Sequence, residues 1–557
     1  MLRYARNDGQ NGFPYSYNNT LVQNPNTCYF VSGETMDTMT QEQVSGNQPA
    51  RTVAFMITIG VVGKVMGLLR DSMQARYLGA DTAEGIAFAQ ASQLPRAFLD
   101  VMFAAVLAAI LVPMFNNQLQ TKDKKAALDF AAFFTAGIFF LTIIITVAMI
   151  FLARPVYTLV LDAPELTDAT RILGVTLLRF MFPLIILSGL TFTFMAVLHS
   201  LGEFRIPALL GVLSNGVILL YYPLLFNRFG VYGLAIAFVV GWVAQVVIQV
   251  PFLRRHGFRF RVRFSRFKAV WNDGLKQMTK TILPVMAASW ILPVNLIINM
   301  RASGSLFYGE FGVPAITFAH NLNIVISGVI ILNVTNFVFP KLCRQAAAND
   351  KEGLGTTAVD TVRVLFFLLL PLSLGIIALS QPLVQFVLGG GAFGERAVEI
   401  TARALFYFAM GILGFGIQSV LSRACFAQND GRTPLIAAII AIAANSVLSF
   451  VLAPRIDVAG PALGAAIGIS LAAGYMLVAL TKKGLLKWQA SLLVDLCKML
   501  LLAVLMFGVV FVSRRWLDSN HVLLQLVIPV ILGGGLYLGA AFLLGIKEVK
   551  DALRARR

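Results

Sequence analysis

Charge is scarce in this chain. Only 13% of its 557 residues are Asp, Glu, Lys or Arg, about half the share of an ordinary soluble domain. That shortage excludes a soluble globular protein. Cysteine is scarcer still. The four residues Cys28, Cys343, Cys425 and Cys497 lie far apart, without the close spacing that a disulfide framework or a zinc site needs. No Walker A sequence and no HExxH helix occurs, so ATP hydrolysis and zinc chemistry have no support. The expectation is a protein with no cofactor, no metal and no catalytic residue. The period-two alternation of an outer-membrane barrel is missing. So is the basic start and contiguous apolar core of a cleaved signal peptide.

What remains is apolar: 58% of the residues are hydrophobic, arranged in runs long enough to cross a bilayer, which takes about 20 residues per helix. The reading is an all-α polytopic membrane protein with about fourteen transmembrane helices. The spans fall at 53–78, 84–115, 126–152, 169–199, 207–226, 231–253, 279–300, 313–340, 358–380, 399–427, 434–453, 459–481, 489–513 and 522–545. Residues 1–51, rich in Asn, Gly and Pro, are expected to form a disordered cytoplasmic tail. The net charge of +18 concentrates in alternate loops: Lys122, Lys124 and Lys125; Arg205; "RRHGFRFRVRFSRFK" at 254–268; Lys341, Arg344 and Lys351; Arg432; Lys482, Lys483 and Lys487; and the tail "KEVKDALRARR". Basic residues collect in cytoplasmic loops because they resist translocation. Both termini are therefore expected in the cytoplasm. The run at 254–268 carries no recognisable nucleic-acid motif, and no nucleic-acid partner is expected.

Three fragments recur at an offset of 227. Pro113 of "ILVPMF" answers to Pro340 of "FVFPKL". Arg205 and Pro207 of "GEFRIP" answer to Arg432 and Pro434 of "DGRTP". Val231, Gly233 and Ala235 of "VYGLA" answer to Val458, Gly460 and Ala462 of "VAGPA". A unit of six helices is even-numbered, so both copies run in the same sense through the membrane, related by an axis along its normal. Two pseudo-symmetric six-helix lobes around a central cavity are expected, 52–253 and 279–483. A basic cytoplasmic linker, 254–278, joins them. Residues 484–557 hold two further helices and a basic C-terminal tail. Transporters built this way bind substrate between the repeats and alternate access by rocking; the competing reading is a static scaffold.

The intramembrane charges bear on that choice, because Arg or Lys at a helix centre costs about 2.5–3.5 kcal/mol on insertion scales. "VVGKVMGLLRDSM" places Lys64, Arg70 and Asp71 in the first span. Lys64 and Arg70 lie about 120° apart around a helix, so they point to different partners while both can border one cavity. Gly60, Gly63 and Gly67 suit close approach by a neighbouring helix. Asp71 can pair with either base, which is the rival explanation of the charges. In the second span Arg96 and Asp100 stand four residues apart, either as an internal salt bridge or with Arg96 aimed inward. The eighth span carries His320, Asn321, Asn323, Ser327, Asn333 and Asn336, a polar set that fits an aqueous path. Arg179 and Arg423 are either structural or cavity residues. Positive charge facing a cavity points to an anionic substrate, with phosphate esters as the natural class.

Five stretches, "GKVMGLLRDSMQARYLGA", "LPRAFLDVMFAAVLAAILVPMF", "LHSLGEFRIPALLGVLSN", "RASGSLFYG" and "RACFAQNDGRTPLIAAI", resemble the MurJ (MviN) family of lipid II flippases. That family belongs to the multidrug/oligosaccharidyl-lipid/polysaccharide exporter superfamily. The resemblance runs from about residue 52 to the C-terminus. It implies a bacterial inner-membrane protein of peptidoglycan biosynthesis that moves a lipid-linked disaccharide-pentapeptide to the outer leaflet. The diphosphate would lie in a cationic cavity and the polyprenyl tail beside the last two helices. It also implies contacts with membrane lipids and cell-wall synthesis proteins. Lys64 falls where the family has an arginine, Arg70 and Asp71 match its Arg-Asp pair, and Glu84 falls near its acidic residue at the start of the second helix. Leu99 and Asn321 occupy two further arginine positions, with Arg96 and His320 as neighbours that compensate in part. The implied substrate-binding set is Lys64, Arg70, Asp71, Glu84, Arg96, His320 and Asn321. The alternatives are another lipid-linked glycan, a small-molecule antiporter of the same superfamily, or a non-transport scaffold of wall synthesis.

Overall fold

The computed structural model describes residues 48–93, 95, 111, 115, 118–119, 123–161, 166–259, 312–428, 430–488, 490–517, 521–546 and 548. The described elements are helices: α1 (Gln48–Leu78), α2 (Lys124–Phe151), α3 (Ala153–Val160), α4 (Asp168–Met181), α5 (Leu184–Ser200), α6 (Arg205–Arg255), α7 (Gly312–Ala347), α8 (Lys351–Val387), α9 (Glu395–Ala409), α10 (Ile412–Ala427), α11 (Arg432–Ile456), α12 (Ala459–Lys482), α13 (Ala490–Trp516) and α14 (Val522–Leu543). Among the described residues nine helices are long and apolar enough to cross a membrane, or ten if the bent pair α9 and α10 forms one span. Every expected span except 84–115 and 279–300 coincides with a described helix; those two fall mostly or wholly outside the described residues, as do the linker from 260 onward and the first 47 residues. Apolar side chains such as Ile144, Phe151, Ile531 and Leu543 stand exposed on the outside, as lipid requires. Interior hydroxyls turn back on their own helices, Thr135 donating to the Ala131 carbonyl at 2.7 Å and Thr335 to Ile331 at 2.7 Å, because the bilayer offers no water to satisfy them.

Several elements differ from the sequence expectation. The first helix starts at Gln48 rather than 53, and α8 runs well past both ends of 358–380. The span at 169–199 is two helices meeting at Phe182–Pro183, and the one at 399–427 bends by 44° between α9 and α10. An extra short helix, α3, precedes α4. The fifth and sixth spans are the two segments of α6, separate as expected: the helix breaks at Gly230, whose φ 54° and ψ −147° are not helical, and the second segment turns back across the first.

The repeat extends far beyond the three fragments that announced it. Helices begin at Lys124 and Lys351, at Asp168 and Glu395, and at Arg205 and Arg432, each pair offset by 227. Asp123 caps α2 by accepting from the Ala126 amide at 2.6 Å, and Asp350 caps α8 by accepting from Gly353 at 2.8 Å. Gly230 and Asp457 share φ 54° at the turn between consecutive spans. Positive φ is uncommon outside glycine and tolerated best by Asn and Asp. At the crossing of the two α6 segments, a Cβ on Gly241 would meet the Ser214 carbonyl; where α11 crosses α12, one on Gly468 would meet that of Ala441. These crossings occupy equivalent positions. Small residues there let backbones approach.

Each half has its own core. Phe88, Tyr157, Phe182 and Tyr222 anchor the first, while Leu365, Leu405, Phe408 and Leu421 belong to the second. The last two helices attach to the second half through α8. Phe367, Met499, Met506 and Tyr537 form a third cluster, and Tyr537 donates to the Phe367 carbonyl at 3.0 Å. Arg363 of α8 binds Asp495 at 2.7 Å and Glu548 at 2.6 Å, while Arg514 donates to the Ala378 carbonyl at 2.6 Å. The cores interlock at one end of the molecule. Ala75 and Ala80 of the first half sit in the second core, and Val313 of the second half sits in the first.

The two crossings respond differently to an added methyl group. A Cβ at residue 468 lies 2.5 Å from the Ala441 oxygen, a backbone atom that cannot yield; at residue 241 the distance to the Ser214 oxygen is 3.2 Å. Gly468→Ala is expected to lower the thermal midpoint of the detergent-solubilised protein, since overpacking costs about 1–3 kcal/mol. Gly241→Ala should change it little, because Ala gains about 0.5–1 kcal/mol in helix interiors over Gly. Equal losses at both positions would contradict this difference between the two crossings.

Candidate functional site

The first helix has two faces with different tasks. Gly63 and Gly67 lie against Val212 and Asn215 of α6, the close approach that the glycine spacing predicts. Gly60 meets nothing within 4 Å, so that glycine plays no part in the contact. Asn215 uses both ends of its amide here: Nδ2 donates to the Gly63 carbonyl at 3.3 Å, and Oδ1 accepts from Nη1 of Arg70 at 3.0 Å.

Arg70 is heavily engaged. Its Nε and Nη2 both donate to Oδ1 of Asp71, at 3.1 and 2.7 Å, and its guanidinium lies 5.8 Å over the Phe238 ring. The two side chains are 12% and 9% exposed. Burial makes this pair expensive to break, because removing one partner of a buried ion pair costs about 3–5 kcal/mol. Asp71 therefore fulfils the rival role foreseen for it, with Arg70. Its second oxygen, Oδ2, accepts from Nδ2 of Asn321 on α7 at 3.2 Å. One carboxylate thus joins a base on its own helix to an amide of the opposite half.

Lys64 stands two turns away and is treated differently. It is half-buried, and its Nζ comes within 3.8 Å of the position a Cβ on Gly328 would occupy. Among the described residues it has no ion-pair partner. The contacts Asp71–Asn321 and Lys64–Gly328 are seven residues apart on each helix, in opposite directions. The two helices therefore run antiparallel in register, and the two contacts are separated by about 10 Å along the seam.

The remaining candidates disperse. His320 is half-buried with its ring 5.3 Å from that of Phe408. Ser327 is buried and donates to the Asn323 carbonyl at 2.6 Å, and Asn333 is exposed and donates to the Val329 carbonyl at 2.7 Å, so both bond back to α7. Glu84 is exposed in the first turn of the helical segment 83–93, where a carboxylate complements the helix dipole. Arg96, Leu99 and Asp100 lie outside the described residues. Arg179 is exposed, and Arg423 is buried with its guanidinium 5.7 Å from the Phe339 ring centre. Sequence reasoning missed Asn215, Phe238 and Gly328. Only Asn215 left a signal, as an amide inside an apolar span.

The stretch "DGRTP" is a clamp. Asp430 Oδ1 accepts from the Arg432 and Thr433 amides, both at 3.1 Å, capping α11, and Oδ2 accepts from the Thr433 hydroxyl at 2.7 Å. Lys483, at the end of α12, donates to Asp430 at 2.6 Å and to Thr433 at 2.7 Å. Partial burial works against the Asp430 charge, but the hydrogen bonds from Lys483 and Thr433 outweigh it and hold the carboxyl down to about 2.

Comparison with known proteins places these features. The family model described as Lipid II flippase MurJ matches residues 74–531. A probable lipid II flippase MurJ from Rhizobium tropici is 26% identical over 515 residues, spanning 88% of this chain and 94% of the relative. The lipid II flippase MurJ of Burkholderia cenocepacia is 25% identical over 510 residues, spanning 89% and 97%. A solved structure titled Lipid II flippase MurJ, inward closed conformation, superposes with a TM-score of 0.74 at 21% identity, covering 87% of this chain and 98% of the other. An inward-facing MATE family transporter gives 0.54 at 15% identity, covering 77% and 94%.

The lowered Asp430 value fixes the sign of a pH effect. A depressed carboxylate contributes stability above its unfolded value of about 3.9, and that contribution is lost as pH falls through about 2. Asp430→Ala should lower neutral-pH stability by about 0.5–2 kcal/mol, the cost of a lost cap. It should also remove part of the decline below pH 4, read by thermal unfolding across pH. An unchanged pH profile would show that the clamp contributes nothing.

Proposed function

Because this chain belongs to the MurJ family of lipid II flippases, we propose that it carries lipid II across the bacterial cytoplasmic membrane from the inner to the outer leaflet by alternating access. On this reading the halves are 52–253 and 279–483, and the substrate diphosphate binds at the seam between α1 and α7. The observation that carries the assignment is Lys64: a half-buried ammonium at the junction of the halves, with no carboxylate to neutralise it among the described residues. A lysine is a compact point charge with three donors and suits a phosphate that arrives and departs. Arg70 is neutralised by Asp71, so in this state it positions the seam rather than holding the substrate. Asn321 stands on the opposing wall through its bond to Asp71, whereas His320 turns its ring to Phe408 and Glu84, an exposed carboxylate, has no favourable contact to offer a diphosphate.

Orientation follows from the basic residues. Lys124, Lys125, Arg205, Arg254, Arg255, Lys341, Arg344, Arg432, Lys482, Lys483 and Lys487 lie at or near helix ends that fall on one side of the membrane when successive spans alternate in direction, and charge makes that side the cytoplasmic one. The C-terminal end of α1 then faces outward. The interlocked cores lie at that outer end, which fits a chain poised to receive its lipid from the cytoplasmic leaflet.

The test is complementation in cells depleted of their own lipid II flippase, read by accessibility of lipid II at the outer face. Wild-type protein should restore accessibility. Lys64→Met should reduce it by about tenfold or more, since a hydrogen bond to a charged group contributes about 1.5–3 kcal/mol, and Lys64→Arg should retain most of it. Failure of well-inserted wild-type protein would refute the substrate, and full activity of Lys64→Met would refute the site.

A further inference from the structure

The structure holds a second contact between the halves, made almost wholly of backbone. The loop that follows α8 reads Leu388–Gly389–Gly390–Gly391–Ala392–Phe393–Gly394 and turns tightly: the Gly390 amide donates to the Phe393 carbonyl at 3.3 Å, and the Phe393 amide to Gly390 at 3.1 Å. Phe393 is buried and meets the Phe318 ring of α7 edge-on at 5.8 Å, which anchors the loop in the second half. Its tip then reaches the first half. The Ala392 amide donates to the Arg76 carbonyl of α1 at 2.8 Å, and one turn earlier the Ser72 hydroxyl donates to the Val387 carbonyl at 2.5 Å.

Two glycines make this approach possible. Gly391 sits at φ +59°, and a Cβ there would overlap the Arg76 carbonyl; a Cβ on Gly79 would come within 2.7 Å of the Ala392 carbonyl. Ala75 and Ala80, both fully buried, complete a small-residue surface against which the loop packs. The carbonyl of Arg76 belongs to the last turn of α1, where carbonyls lack intrahelical partners. The loop supplies that missing donor from the opposite half of the molecule.

We propose that the loop 388–394 is a backbone latch that holds the outer end of the two halves together, and that it must lift off α1 before access can switch. Its strength is modest by construction: one amide–carbonyl bond and one hydroxyl–carbonyl bond, each contributing only a small net stabilisation. A latch of that kind closes firmly yet releases when substrate favours the other state, since a ligand shifts an equilibrium only by its differential affinity for the two forms. The proposal rests on the alternating-access reading above and adds to it the element that has to open.

Two arms test it in the full-length chain with its native cysteines replaced. In the first, Arg76→Cys and Ala392→Cys are combined and oxidised. The expected result is a cross-link that lowers flipping at least tenfold and is reversed by reductant; no cross-link, or full activity with the cross-link in place, would overturn the proposal. In the second, a Ser72→Cys reporter is labelled from outside with a membrane-impermeant maleimide, alone and combined with Gly391→Val. Labelling several-fold faster in the combined variant supports the latch, and equal rates refute it. Labelling does not depend on the cargo. A chain that moved a different substrate would fail the lipid II assay while still showing the labelling difference, so the two failures are distinguishable.

Discussion

One carboxylate organises the middle of this molecule. Asp71 takes two hydrogen bonds from Arg70 through one oxygen and one from Asn321 through the other, so a side chain of the first half is shared between its own helix and the second. In a low-dielectric interior such a group is stable only when its bonds are made. The shared oxygen therefore constrains how α1 and α7 sit against each other. Asn215 and Phe238 hold the far side of the same guanidinium, which ties the arrangement back to α6.

This neutral hub explains how a charged helix is tolerated where lipid would reject it, and it makes Lys64 different in kind. Arg70 and Asp71 form an ion pair, whereas Lys64, two turns along the same antiparallel seam, has no ion-pair partner among the described residues and comes close to Gly328, a residue with no side chain to cover it. Nearer the end of α1, charge gives way to small residues and backbone contacts with the glycine loop. Along one helix the chemistry thus passes from a lysine with no ion-pair partner among the described residues, through a buried ion pair, to a backbone contact with the opposite half.

The repeat shows how duplication was used. Caps, helix starts and the positive-φ turn residues all recur at the same offset, so the scaffold is a doubled design. The departures are local. The first copy breaks after Phe151 into α3 where the second continues unbroken through α8, and α8 is also where the two added helices attach, through the Arg363 ion pairs and the Tyr537 hydrogen bond. The Asp430 clamp has Glu203 at the corresponding place in the first copy.

The sequence by itself determined the class of the molecule: membrane-spanning helices, their approximate bounds, the offset of the repeat and the presence of intramembrane charge. These follow from composition and spacing, which are properties of the chain taken locally. It also showed that Lys64 and Arg70 point in different directions, because helical geometry fixes the angle between them. Which of the two would be neutralised was open, since either could reach Asp71, and the tertiary fold decided it by bringing Asn215 and Phe238 around Arg70 and Asn321 onto Asp71. Gly328 and the loop 388–394 were likewise invisible, because a glycine opposite a lysine and a backbone amide opposite a carbonyl carry no side-chain signature. Their roles exist only once two distant segments of chain are packed together.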